Sequence, residues 1–159
     1  MKEWTMFAKE FSEFRRFFKL DKTQILDDLM IEADLVNQVD EVIKFITRHI
    51  SVKYEFEGKP KRKEVWEYPL EALREAITNA VMHRDYFETG SHVQVDIYDD
   101  KIEIINIGSL LKPLTPKTLG TIAVRRNPLV ADLLQRIRYV EKMGTGIKRI
   151  QEACEKQGG

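Results

Sequence analysis

The chain has 159 residues, 26 of them Lys or Arg and 26 Asp or Glu, so its formal net charge is zero. That length supports one domain with a sizeable core, and the charge balance excludes the cationic excess on which histone-like or arm-type nucleic-acid binders rely. A hydrophobic share of 43% excludes disorder, and the lone Cys154 can form neither an internal disulfide nor a cysteine-based zinc site, which fits a reduced, cytoplasmic setting. No apolar run nears the roughly 18 residues that a membrane span needs, and Met1–Glu10 lacks the apolar stretch of a signal peptide.

Residues 1–34 admit two readings. Trp4, Phe7, Ala8, Phe11, Phe14 and Phe18 recur at helical spacing, yet Phe14 to Leu20 before Asp21-Lys22-Thr23 equally suits a strand entering a turn. From Leu35 to His49 the pattern predicts an amphipathic helix, with Leu35, Val36, Val39, Val42, Ile43 and Ile46 on one face and Asp40, Glu41, Lys44 and Arg48 on the other. Val52 to Phe56 alternates as a short strand, and Gly58 to Lys63 reads as an exposed basic loop. Pro69 suits the first turn of a second helix running to about His83. Val93, Val95 and Ile97, the turn at Asp99-Asp100, and Ile102, Ile104 and Ile105 predict a hairpin. Asn106 to Asn127 has no strong periodicity, and a connection of that length inside a compact domain is usually functional or mobile. Two helices close the chain, Pro128 to about Arg138 and Gly146 to about Lys156, with Cys154 on the apolar side of the second and read as buried and inert.

Chemistry concentrates in three places. Glu75, Asn79 and His83 follow one another at four-residue intervals near one face of the second helix. An Asn there offers a hard cation its carbonyl oxygen, and a Glu one turn earlier can orient or deprotonate water. The alternative is a solvated helix edge or an internal hydrogen-bond network. Met143-Gly144-Thr145-Gly146-Ile147 precedes a helix, where glycines let backbone approach a phosphate and free N–H groups complement its charge. It can equally be an ordinary glycine turn with Thr145 as N-cap. Asn106-Ile107-Gly108 leaves a strand end, as a cleft wall or as a plain turn. Lys59, Lys61, Arg62 and Lys63 read first as a solvated loop. A metal site from His83, Asp85 and His92 is the weaker reading, because nothing fixes their spacing.

Taken in order, these elements resemble the GHKL ATPase superfamily, the adenine-nucleotide fold shared by gyrase, MutL, heat-shock chaperones and histidine kinases. Within it, Tyr68-Pro69-Leu70-Glu71-Ala72-Leu73-Arg74-Glu75-Ala76-Ile77, Asn79-Ala80-Val81 and His83-Arg84-Asp85-Tyr86 are similar to the signature of the RecG-related transcriptional regulators. Ile102 to Gly108, Arg126-Asn127-Pro128-Leu129 and Glu141 to Ile150 continue that similarity, which covers about residues 64–157. The resemblance implies a GHKL-like α/β (α+β) two-layer sandwich: a mixed, mostly antiparallel sheet with helices on one face. Residues 1–34 would be a lead-in packing on the same domain, and residues 35–159 the ATP-binding domain.

By the same resemblance Asn79 would hold Mg²⁺ against the phosphates of ATP, and Glu75 would be the candidate general base. His83 and Arg126 would contact the nucleotide. Asn106 would stand where the superfamily usually has an Asp for the adenine amino group, with Gly108 making room for the base. Gly144, Thr145 and Gly146 would cradle phosphates, and residues around Lys117–Arg126 would form a lid. Family members carry an AlbA-type (Schlafen-like) DNA-binding domain and often a winged helix, so DNA is the expected partner of domains outside this chain. The end at Gln157-Gly158-Gly159 reads as that of an excised fragment or a truncated member. Homodimerisation is a further expectation, and no membrane partner is expected. No P-loop is present, since Gly58-Lys59 is followed by Pro60, so a helicase motor is rejected and at most a slow Mg²⁺-dependent ATPase is expected. The competing function is a degenerate scaffold of the same fold that mediates dimerisation or partner contacts without nucleotide.

Overall fold

The computed structural model describes residues 10–17, 25–55, 62–88, 90, 92–106, 108–140 and 144–157. Strand β1 (Glu10–Phe17) and strand β2 (Ile25–Ala33) precede helix α1 (Leu35–His49). The strand reading of Phe14 to Leu20 therefore holds as far as Phe17, β2 was not anticipated, and Trp4, Phe7, Ala8 and residues 18–24 lie outside the described residues. Strands β3 (Val52–Glu55) and β4 (Lys63–Trp66) form a separate antiparallel ribbon. Its second strand was not anticipated: Lys63, expected in the basic loop, opens β4, and the rest of that loop up to residue 61 lies outside the described residues. Helix α2 (Leu70–His83), the hairpin β5 (Val93–Ile97) and β6 (Ile102–Ile105), and helices α3 (Pro128–Arg136) and α4 (Gly146–Lys156) complete the chain.

The main sheet has the order β2-β1-β5-β6. Its β1–β2 and β5–β6 pairs are antiparallel and its β1–β5 pair is parallel, so it is mixed and mostly antiparallel. The N-terminal strand is therefore central, with Ser12 opposite Val93 and Arg16 opposite Ile97. Helix α1 packs on β1 and β2, α2 packs on α1 and β6, and α4 packs on α2. The core between helices and sheet is built from Val39, Val42, Phe45 and Ile46 of α1, Leu73, Ile77 and Val81 of α2, and Val95 and Ile97 of β5. Val39, Ile46, Ile77 and Val95 are wholly buried, as the helical and alternating patterns require. Among the described residues no helix is long and apolar enough to cross a membrane.

Helix α1 starts where Asp34 caps it. The Asp34 carboxylate accepts from the N–H groups of Val36 at 3.2 Å and Asn37 at 3.0 Å, satisfying two donors that the helix cannot. The Asn37 N–H foremost holds the Asp34 carboxyl below its ordinary 3.8, with burial pulling the other way. Asp34→Ala is expected to cost about 1 kcal/mol at neutral pH, the usual value of such a cap. Because the folded-state pKa is the depressed one, the cap's contribution is complete above 3.8 and fades as pH falls below it. Chemical denaturation of both proteins at pH 7 and pH 3 checks this, with the gap between them narrowing in acid.

A hydrogen-bonded triad ties the helices together. Arg74 Nη1 of α2 donates to Asp40 Oδ1 of α1 at 2.8 Å, and the Tyr139 hydroxyl beyond α3 donates to the same oxygen at 2.9 Å. Burial, followed by the Asp40 carboxylate, pushes the Tyr139 hydroxyl up to about 12. Tyr139 thus remains a donor throughout the neutral range and anchors the chain just beyond α3.

Candidate functional site

Helix α2 presents its polar line to a cleft of about 450 Å³. Glu75, Asn79 and His83 of α2, Asn106 and Gly108 after β6, Arg126 of the long connection, and Gly144 and Gly146 at the start of α4 all line it. Of the expected catalytic and nucleotide-contacting residues only Thr145 is absent from the wall. It is exposed and occupies the N-cap of α4, but its side chain makes no capping bond. The remaining wall is largely apolar, from Leu110, Leu119, Ile122, Val140 and Ile147 among others. A concave, mostly apolar space of this size with a few convergent polar groups is the usual form of a small-molecule site.

The far end of the cleft is organised around Asn106. Its Nδ2 donates to the Ala80 carbonyl of α2 at 2.7 Å, which fixes the amide orientation, and its Oδ1 is buried with no partner among the described residues. A buried acceptor left unmatched costs free energy, which a donor able to reach this oxygen would recover. Beside it Gly108 adopts φ of 117°, a left-handed conformation that favours glycine, and the Arg126 guanidinium lies 3.1 Å from where a Cβ would stand. Arg126 donates to Asp85 Oδ2 at 2.9 Å and to the Ser109 carbonyl, stapling the connection to the end of α2. Burial first, and the Arg126 charge second, lower the His83 pKa from its ordinary 6.5, so its imidazole is neutral at neutral pH. Asn127 closes this end by donating to the carbonyls of Met82 at 2.9 Å and Arg84 at 2.7 Å, groups that the end of α2 leaves open.

At the near end the start of α4 rests directly on α2. A Cβ on Gly146 would overlap Glu75 Oε1 and the Asn79 amide nitrogen, so a larger residue requires those two side chains to move. Glu75 accepts from Asn79 Nδ2 at 3.4 Å and from Arg149 Nη2 at 2.7 Å. With its nitrogen turned to Glu75, Asn79 keeps its carbonyl oxygen for another partner. Gly144, at φ 88°, abuts Ala123 of the long connection, and Gly120, at φ 82°, abuts Ile147. The connection expected as a lid therefore packs against the glycine turn. Ile147 and Ile150, expected simply as the apolar face of α4, are half-buried because they face the cleft, and Cys154 is half-buried rather than buried. Among the described residues no cluster of His, Cys, Asp and Glu could hold a metal by itself, which disposes of the His83–Asp85–His92 alternative within that range.

Two roles were not assigned from the sequence. Arg149 follows Gly146 by three residues, a spacing that puts it on the same side of α4, yet its partner is set only by the docking of that helix on α2. Asn127 follows the same rule, since its acceptors lie more than forty residues earlier in the chain.

With this geometry in place, residues 90–159 match the family model described as "Putative ATP-dependent DNA helicase recG C-terminal". That stretch, under half of the chain, is similar to this family. It contributes Asn106, Gly108, Arg126 and the glycine turn, whereas Glu75, Asn79 and His83 precede the matched stretch. No curated protein matches the chain significantly. Among solved structures, the crystal structure of the DIP2311 protein from Corynebacterium diphtheriae is similar to it, with a TM-score of 0.80 and 24% identity. The similarity covers 92% of this chain and 30% of that one, so the chain spans under a third of that protein's length. At this identity the likeness is one of fold.

Proposed function

We infer that the cleft binds ATP together with Mg²⁺, as the sensing domain of a DNA-binding regulator whose DNA-contacting parts lie outside this chain. The observation that carries this reading is the Asn106 amide. Its nitrogen donates to Ala80, which orients the amide, and its buried oxygen has no partner among the described residues, so the oxygen is left to accept a hydrogen bond. An exocyclic amino group, as on adenine, satisfies it, whereas a carbonyl at the same place, as on guanine, would face it oxygen to oxygen. The family match of residues 90–159 supports the same ligand class.

The residues present also fit the cation. Mg²⁺ typically takes one or two protein oxygens and completes its shell with water and phosphate, so the Asn79 carbonyl oxygen beside a bound triphosphate is sufficient. When bound, the cation would neutralise phosphate charge. Backbone N–H groups at Gly144 and Gly146 and the start of α4 would meet the phosphates, and Asn106 with Gly108 would orient the base. Glu75 stands one turn from Asn79, where a general base would polarise water. As folded, that carboxylate is held by Arg149 and Asn79, which favours slow turnover over rapid hydrolysis. The nucleotide state would act on attached domains through α4 and the long connection, which meet at Gly144 and Ala123.

Calorimetric titration of this chain with ATP, ADP and GTP, each with and without Mg²⁺, tests the reading. Binding of ATP that strengthens with Mg²⁺ and exceeds that of GTP by at least about tenfold, the value of one matched polar contact, is expected. Absence of heat and of chemical-shift changes at millimolar nucleotide would favour the scaffold alternative.

A further inference from the structure

The contact between Glu75 and Arg149 joins α2 to α4 beside the proposed phosphate end of the cleft, which Glu75 lines and Arg149 does not. Arg149 Nη2 lies 2.7 Å from Glu75 Oε2, and the two side chains are 34% and 17% exposed, so the pair is largely shielded from water. The second carboxylate oxygen faces the Asn79 amide and the tightly apposed backbone of Gly146. Glu75 is therefore engaged on both oxygens, and the residue best placed to activate water is the one that fastens the two helices together. A proton taken up by that carboxylate would weaken its charge-assisted bond to Arg149.

We propose that Arg149 is a triphosphate-responsive lock on Glu75: the guanidinium holds the carboxylate in the folded chain, and the terminal phosphate of a nucleoside triphosphate draws it away. The proposal rests on the ATP reading of the cleft. Three features carry it. Arg149 projects from α4 one turn past Gly146, on the helix whose N-terminus faces the cleft. Guanidinium groups match phosphate as well as carboxylate, in the same forked geometry. A terminal phosphate bears more negative charge than one carboxylate and offers three acceptor oxygens, so it competes effectively for a single arginine. A diphosphate, lacking the group nearest Glu75, leaves the pair in place. Arg149 is in this sense a positioning residue, acting through Glu75 in one state and on the ligand in the other.

The test compares ATP and ADP affinities, with Mg²⁺, for the wild-type chain, Glu75→Gln and Arg149→Gln, along with melting of each protein without nucleotide. Both variants lose the same tie, so both are expected to melt lower, by roughly 3–6 °C for a chain of this size. Their ATP affinities are expected to move in opposite directions. Glu75→Gln releases the guanidinium and strengthens ATP binding about fivefold, whereas Arg149→Gln removes it and weakens binding about tenfold, with ADP changed less than about twofold in either. A tie that is merely structural would weaken ATP and ADP alike in both variants, and that result overturns the lock. Wild-type protein that binds ATP with no opposed shifts overturns the lock alone. Wild-type protein that binds neither nucleotide overturns the ATP reading and the lock with it.

Discussion

Replacing Asn79 by Ala is expected to lower Mg²⁺-dependent ATP affinity about a hundredfold, or roughly 2.7 kcal/mol, while leaving the fold intact. The two halves of that expectation come from different physics. The amide nitrogen contributes little, because its bond to Glu75 is long at 3.4 Å. Alanine is the better helix former, by up to about 0.7 kcal/mol, so α2 is not weakened by the change. The loss falls on the carbonyl oxygen, a hard donor that α2 offers to a cation beside the phosphates. Titrations with and without Mg²⁺ separate the effects: the variant should bind ATP with the same weak affinity in both buffers, and its melting midpoint should stay near that of the wild type. An Mg²⁺ enhancement that survives in the variant would place the cation elsewhere.

Gly146→Ala is the second large effect, and its sign opposes the helix scale. Glycine to alanine in a helix ordinarily stabilises by about 1 kcal/mol. Here the added methyl would overlap the Glu75 carboxylate and the Asn79 amide. Glu75 cannot swing aside without stretching its bond to Arg149, a charge-assisted contact in a shielded site whose loss typically costs about 1.5–3 kcal/mol. Loosened packing of α4 on α2 adds to that loss. A net destabilisation of about 1–3 kcal/mol is therefore expected, together with loss of measurable nucleotide binding as the glycine turn is pushed off the cleft. Denaturant titration reads the first and calorimetry the second. A variant more stable than the wild type would show that α4 floats free of α2.

Local pattern made much of the architecture legible. Val39, Val42, Ile43 and Ile46 announce α1 because a buried helical stripe repeats within a short window, and observed and expected bounds agree at Leu35 and His49. The hairpin at Asp99-Asp100 was legible for the same reason. Phe11 and Phe14 were not decisive, because their spacing suits a helix as well as a strand. What selects the strand is pairing with residues 93–97, which no local window contains. β4 was missed because Lys63-Glu64 reads as surface, and only its partner β3 makes it a strand. The cleft was legible as a list of residues and illegible as a set of bonds. Glu75 and Asn79 follow from helical spacing, but the Arg149 contact depends on how α4 docks, and the orientation of Asn106 depends on a carbonyl 26 positions earlier.

The central place of β1 bears on how the protein is made. Ser12 and Val93 sit side by side though roughly 80 residues separate them, and closing a loop of that size carries an entropy cost that no local contact repays. Helix α1, the β3–β4 ribbon and the β5–β6 hairpin each close over short distances and can form early. The β1–β2 pair must wait, one edge unsatisfied, until the hairpin exists to receive it. During synthesis β1 emerges before the hairpin and is matched only after it, so its edge stays open while residues 18–92 are made. Aggregation during expression should therefore respond to changes in β1 more than to equal changes in the later hairpin.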